Sequence, residues 1–289
     1  MAAFLPQAGQ SEVWRTGADQ PIAAALMPSG TAEPVPGGWL LTGEWQFLSG
    51  VDYATWALLC VPGPAAGGKP RFMAVPRSEL SVRDTWFSIG MRGTGSNSVV
   101  LETVFVPEHR SFSREALATG TPGEAAATCY RVPLLAVAGL PFAALSAGLA
   151  QSTLSRWSEW TGTRTAGPRP MRESESVRLE FARSAVENDA AQLLVERAAA
   201  VADDLGLARR HAARSARDAA HAASMSRQTV ERLFVSTGTR TQRDGDVIQR
   251  AWRDVHAAAS HAALRFDIHG SAYAQQEWST KGDSDEQAG

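Results

Sequence analysis

At Pro133 the chain changes character, and no other feature constrains its fold so strongly. Before that point, apolar runs of four to eight residues are separated by turn signals. Pro28-Ser-Gly30, Gly37-Gly38 and the Gly/Pro-rich stretch 62–70 are such signals. This is the pattern of strands in an antiparallel barrel or sandwich. After Pro133 the composition is Ala, Leu, Arg and Glu, with breaks at 161–172 and 236–240. Long helices are expected over 134–159, 173–205, 208–234 and 246–273, and connections this short favour an antiparallel bundle. The fold class is therefore α+β, an antiparallel β-barrel or sandwich followed by a C-terminal four-helix bundle.

The strand candidates are Ile22–Met27, Trp39–Thr42, the continuously apolar Trp56–Val61, Arg71–Val75 and Val99–Val106. A continuous apolar run implies burial on both faces. Ahead of them, residues 1–16 read as the end of a helix, interrupted by Pro6, with Phe4, Leu5, Val13 and Trp14 as its apolar side. So short a piece cannot bury that side alone. In the second long helix Leu179, Ala182, Val186, Leu193 and Val201 fall near one face at helical spacing. The last 14 or so residues are polar and expected to fray.

Charge and motif content exclude several functions. A net charge of −2 argues against a nucleic-acid or polyanion binder. No uninterrupted apolar stretch reaches the roughly 18 residues of a membrane span, and residues 1–6 lack the pattern of a secretory signal. The two cysteines, Cys60 and Cys129, lie far apart and outside any metal-ligand spacing, as in a cytoplasmic protein with free thiols. No nucleophile elbow or phosphate loop is present. His256 and His261 stand about 140° apart on a helix, so they do not form a ligand pair. The nine tryptophans are compatible with a pocket for a flat aromatic ligand.

Two runs carry more. They are Gly43-Glu-Trp-Gln-Phe-Leu-Ser-Gly50 and Trp86-Phe-Ser-Ile-Gly-Met-Arg-Gly-Thr-Gly-Ser-Asn97, the second followed by Val99-Val-Leu-Glu-Thr-Val-Phe-Val-Pro107. Together they resemble the β-domain of the acyl-CoA dehydrogenase superfamily, with wording closest to its two-component (group D) flavin monooxygenase branch. The resemblance divides the chain into a remnant of an N-terminal helical domain (1–18), a central β-domain (19–112), a connector (113–131), a four-helix bundle (132–275) and a polar tail (276–289). It implies that most of the N-terminal domain is lacking.

It also implies a function. The chain would take reduced FMN or FAD from a separate flavin reductase, as a transient partner, and react it with O2. A C4a-hydroperoxyflavin would then hydroxylate an aromatic or polyketide-like substrate. Phe47 and Ser49 would lie against the isoalloxazine, with the Ser49 hydroxyl at N5. Met27 and Ser29 belong to a loop resembling the one at the pyrimidine edge. Arg92, Thr94 and Ser96 lie in the glycine-rich turn near the site, and Ser236 and Gly238 in a further flavin-contacting break. In Gln249–His261 an Arg-Asp…His pattern would place His261, with His256 second, to deprotonate a phenol or support the peroxyflavin. No metal is implied. A dimer of dimers is expected, with small residues such as Ala143, Ala144 and Gly148 on exposed helix faces. The dehydrogenases' catalytic glutamate has no convincing match. The alternatives are a non-redox descendant, acting as a cyclase or binding protein, and a non-catalytic partner subunit of a full-length homologue.

Overall fold

The computed structural model describes residues 1–63, 68–123 and 127–286. The expected loop 62–70, connector 113–131 and tail 276–289 each lie partly outside the described residues. Two compact units are present. The first comprises Met1–Ser88 and Arg92–Leu134, the second Ile89–Met91 and Leu135–Gly289.

The first unit opens with helix α1 (Gln7–Val13) and continues through strands β1 (Ile22–Ala25), β2 (Thr31–Val35), β3 (Gly38–Leu48), β4 (Trp56–Val61), β5 (Arg71–Pro76), β6 (Ser81–Arg83), β7 (Asn97–Pro107) and β8 (Ser111–Ser113) to the short helix α2 (Arg114–Thr119). The strands form two four-stranded sheets, ordered β1-β4-β5-β8 and β2-β3-β7-β6. All pairs are antiparallel except β1 with β4, which is parallel. That pair corrects the purely antiparallel expectation. A parallel pair needs a crossover rather than a hairpin, and the chain makes both other-sheet strands β2 and β3 between β1 and β4.

Alternation along β4 explains its unbroken apolar run. Ala57, Leu59 and Val61 join the inter-sheet core with Leu41, Trp45 and Met73. Leu58 and Cys60 face the other way and pack with Phe4, Leu5, Val13, Phe72 and Phe112. The N-terminal segment thus covers the outer face of its own sheet. The Trp45 indole N–H donates to the Cys60 carbonyl at 2.7 Å, tying the sheets together inside the core. Burial pushes the Cys60 thiol up to about 11, so it is an inert packing residue.

The second unit is helical. A one-turn helix α3 (Leu134–Val137) precedes α4 (Leu140–Gly162), and α5 (Glu175–Asp203), α6 (Leu205–Ser236), α7 (Val247–Ala259) and α8 (Phe266–Glu286) follow. Three expectations are corrected. The fourth expected helix is two, because the chain turns extended at His261 (φ −62°, ψ 141°). Helix α8 runs on to Glu286 where a frayed tail was expected. The apolar face of α5 is exposed, with Leu179, Val186 and Leu193 each more than 60% exposed. Ser184, Asn188, Ala191 and Ala198 are the buried positions instead. Small side chains let helix axes approach closely, and Ala143, expected on the surface, is fully buried for that reason.

By length and composition Leu134–Gly162 could cross a membrane. In the bundle, Ala143, Ala150, Leu154 and Trp157 are buried where α4 packs on α5, α6 and α7, as in a core helix.

Candidate active site

In the first unit the Ser49 end of β3 is shaped by an irregularity. The β3–β7 register shifts between Trp45 and Leu48, and within that interval Phe47 adopts φ 63°. A bulge re-aims the side chains that follow it, and a non-glycine residue at positive φ is a strained exception. Here Trp45 and Leu48 stay in the core while Phe47 turns outward and is 66% exposed. Its ring meets Trp86 edge-on at 6.3 Å.

Beside it, three hydroxyls form a chain. Ser49 Oγ lies 2.8 Å from Ser96 Oγ, and Ser96 Oγ lies 2.8 Å from Thr94 Oγ1. Ser49 is exposed and Ser96 is buried. The Gly50 N–H donates to the Thr94 carbonyl at 2.7 Å, which holds the strand end and the glycine-rich turn together. The next residue, Asn97, fastens the turn from three sides. Its Nδ2 donates to Asp52, and its Oδ1 accepts from the Thr85 and Trp86 N–H groups.

Met27 is 70% exposed on the loop after β1. Ser29 donates its hydroxyl to the Glu44 carbonyl at 2.6 Å, so it fixes that loop against β3. The guanidinium of Arg92 is exposed and donates from Nε to the Ser88 carbonyl at 2.9 Å. A flavin ring needs an apolar surface with hydroxyl or amide groups at its edge, and this strand end offers exposed Phe47 and Met27 with the Ser49 hydroxyl. The residues fit that group.

In the second unit His261 sits in the break between α7 and α8. Its Nδ1 accepts the Ala263 N–H at 3.1 Å, capping the short turn that follows. Its ring stacks on Phe142 with centroids 3.7 Å apart. Gly139 permits this approach, because a Cβ there would stand 3.0 Å from the Ala263 carbonyl and 3.1 Å from the Ala219 methyl. Burial lowers the His261 pKa. A neutral imidazole whose Nδ1 accepts must carry its proton on Nε2. His261 therefore presents an N–H, the opposite of a free base nitrogen.

His256 is occupied differently. Its Nε2 lies 2.9 Å from Glu231, whose carboxylate also takes the Trp252 indole N–H. The structure thus brings His256 to α6. The Ser236 hydroxyl donates to the Leu233 carbonyl and accepts from the Trp157 indole, both at 2.7 Å, so its proton is already used. Gly238 opens the following turn with φ 67°.

Three residues stand out that sequence reasoning missed. Asp254 accepts the Met91 N–H at 2.6 Å and Arg253 donates to the Ile89 carbonyl at 3.1 Å. Gly90 lies so close to α7 that a Cβ would stand 2.1 Å from the Arg253 carbonyl. The Arg-Asp pair of the matched pattern thus grips the segment just before the glycine-rich turn. The signal was in the sequence, in Gly90 and the Arg-Asp dipeptide, but nothing linked positions so far apart in the chain.

A family model described as the acyl-CoA dehydrogenase C-terminal domain matches residues 140–266. The flavin-dependent monooxygenase oxygenase subunit HsaA of Mycobacterium tuberculosis is 32% identical over 275 residues, 90% of this chain and 70% of the relative. The chain belongs to the flavin-dependent monooxygenase branch of the acyl-CoA dehydrogenase superfamily. The FADH(2)-dependent resorcinol hydroxylase oxygenase component of Rhizobium sp. is 31% identical over 95% of this chain and 73% of its own length. Among solved structures, HsaA from M. tuberculosis superposes with a TM-score of 0.87 at 29% identity, covering 96% of this chain and 75% of HsaA. XiaF from Streptomyces sp., solved in complex with FADH2 and glycerol, gives 0.85 at 29% identity over 96% of this chain and 74% of its own. These likenesses favour the oxygenase reading over the non-redox and partner-subunit alternatives.

Proposed function

We propose that this monooxygenase is the oxygenase component of a two-component system that hydroxylates a phenolic aromatic or polyketide-like substrate. A separate reductase supplies reduced FMN or FAD as a diffusible co-substrate. The observation that carries this reading is the exposed Ser49 hydroxyl beside Phe47, whose positive φ turns an aromatic ring out of the sheet. When bound, reduced flavin would supply the two electrons that activate O2, of which one oxygen atom goes to the substrate and the other leaves as water. Phe47 and Met27 would cover the ring, and Ser49 would meet its N5 edge. Arg92 and Thr94 are further contacts proposed for the cofactor. Ser29 acts by holding its loop, and Ser236 contributes a lone pair at most.

His261 is the substrate residue. A phenol reacts as its phenolate, whose ortho carbon is electron-rich. An Nε2–H held by the Ala263 cap and the Phe142 stack can donate to the phenolate oxygen and stabilise its charge. The cap and the burial both disfavour imidazolium. This supports a hydrogen-bond donor rather than a base, and it leaves His256 with a packing role.

The exposed stripe Leu179, Val186 and Leu193 recurs every seven residues along α5. It supports self-association, and we assign the family's dimer of dimers to this enzyme. A cytoplasmic location accords with the buried, unpaired Cys60.

The test is anaerobic titration with photoreduced FMN and FAD, then turnover of a phenol panel with a reductase and O2. Tight binding of a reduced flavin and a hydroxylated product are expected. Product yield per electron pair should fall about 100-fold in His261→Ala and fall also in Ser49→Ala. No binding of either flavin, or yields equal to wild type in both variants, overturns the reading.

A further inference from the structure

Ser96 is buried, yet its hydroxyl is the middle member of the chain Ser49–Ser96–Thr94, at 2.8 Å from each neighbour. A serine hydroxyl has one proton and two lone pairs. If Ser96 gives its proton to Ser49, the Ser49 proton must point outward. If Ser96 gives its proton to Thr94, Ser49 must donate to Ser96, and Ser49 then shows a lone pair outward. One buried proton therefore decides whether the exposed hydroxyl is a donor or an acceptor.

We propose that Ser96 is a positioning residue that acts through Ser49, setting which of the two the Ser49 hydroxyl offers to flavin N5, rather than a direct flavin contact. This rests on the flavin reading above. Reduced flavin carries a hydrogen at N5 and needs an acceptor there. Oxidised flavin has a bare N5 and needs a donor. Rotation of the Ser49 and Ser96 hydroxyls supplies either, with no proton leaving the protein. The irregularity at Phe47 fixes the strand end, and the Gly50 N–H bond to the Thr94 carbonyl keeps the chain members within reach.

Loss of Ser96 has an asymmetric consequence. With reduced flavin bound, Ser49 accepts from N5–H and its own proton loses the Ser96 acceptor. With oxidised flavin bound, Ser49 still donates and only a lone pair goes unused, which costs less.

The experiment is anaerobic measurement of Kd for reduced and oxidised flavin in wild type, Ser49→Ala, Ser96→Ala, Ser96→Thr and the double alanine variant. Ser96→Ala should raise Kd for reduced flavin about five- to tenfold and for oxidised flavin by no more than about twofold. Ser96→Thr, which keeps a hydroxyl, should restore the wild-type ratio of the two constants. In the Ser49→Ala background, Ser96→Ala should leave that ratio unchanged. Equal losses for both redox forms, or a full effect of Ser96→Ala without Ser49, would mean a merely structural role and overturn the proposal. Failure of wild type to bind either form overturns the flavin reading itself, and is seen before any variant is compared.

Discussion

The two units solve the same packing problem with opposite materials. The β unit fills its interior with large side chains, among them Trp45, Leu41, Leu48, Leu59, Met73 and Phe72, all at or near zero exposure. The helical unit has some large buried residues, such as Trp157 and Leu233, but most of its interior is alanine and small polar groups, such as Ala150, Ala191, Ala222, Ser184 and Thr229. Leu179, Val186 and Leu193 stay outside. Apolar burial is worth roughly 25 cal/mol per Å2, so an alanine interior gains little per residue. It gains instead from close helix approach and dispersion. The β unit keeps its large apolar side chains inside, whereas α5 leaves three of its own exposed.

The largest effect that would break this comparison is on assembly. In the proposed two-fold interface, Leu193→Asp would remove an apolar contact twice and bury two charges. The dissociation constant of the self-associated form should rise by at least about 100-fold, read by sedimentation velocity. Stability of the dissociated chain should change by less than about 0.5 kcal/mol, because the side chain is exposed there. Unchanged assembly would show that the α5 stripe has no partner copy.

Comparable in size is Trp45→Ala, expected to cost about 3–5 kcal/mol in urea unfolding. It empties the inter-sheet core and leaves the Cys60 carbonyl without the indole donor. Ala150→Leu tests the other material. Ala150 is fully buried, packing with Val230 and Val255, so three added carbons should cost about 1–3 kcal/mol by overpacking. Were Ala150→Leu neutral or stabilising, the bundle would be loosely packed rather than closely packed.

This contrast also sorts what the sequence could reveal. Val, Leu and aromatic runs with turn residues between them mark β3, β4, β5 and β7 plainly, because strand burial writes a period of two. The parallel β1–β4 pairing is not marked, since both strands read as short apolar runs whatever their neighbours. On α5 a period of 3.6 revealed an apolar face but not its partner. Leu179, Val186 and Leu193 look the same whether they meet their own chain or another. The break at His261 was illegible for a different reason. Ala258-Ala-Ser-His-Ala has no glycine or proline, and the turn is closed by the imidazole itself. In the candidate site, resemblance pointed to Phe47, Ser49 and His261. The sign of φ at Phe47, the buried position of Ser96 and the tautomer of His261 are properties of packing and were visible only in the structure.

The smallest predicted effect concerns how the N-terminal segment is fastened to the β unit. Glu12 on α1 accepts from Arg110 Nε at 2.9 Å and from Arg110 Nη2 at 2.5 Å, and lies 3.0 Å from His109 Nε2. The Arg110 guanidinium holds this carboxyl well down, from its ordinary 4.5 to about 2, with His109 adding to the effect. Between these two values the unfolded chain binds a proton that the folded chain does not. Stability therefore rises with pH through that window, is fully present above about 4.5 and is lost as pH falls towards 2. Glu12→Gln should cost about 1 kcal/mol at neutral pH. It should also flatten the acid limb of the urea midpoint against pH, while leaving the Leu193→Asp assembly phenotype untouched. Because the apolar contacts of Phe4 and Leu5 with Phe112 and Leu58 remain, the segment should stay docked in the variant. An acid limb as steep as in wild type would mean that these apolar contacts, and not the carboxylate, tie the N-terminal segment to its sheet.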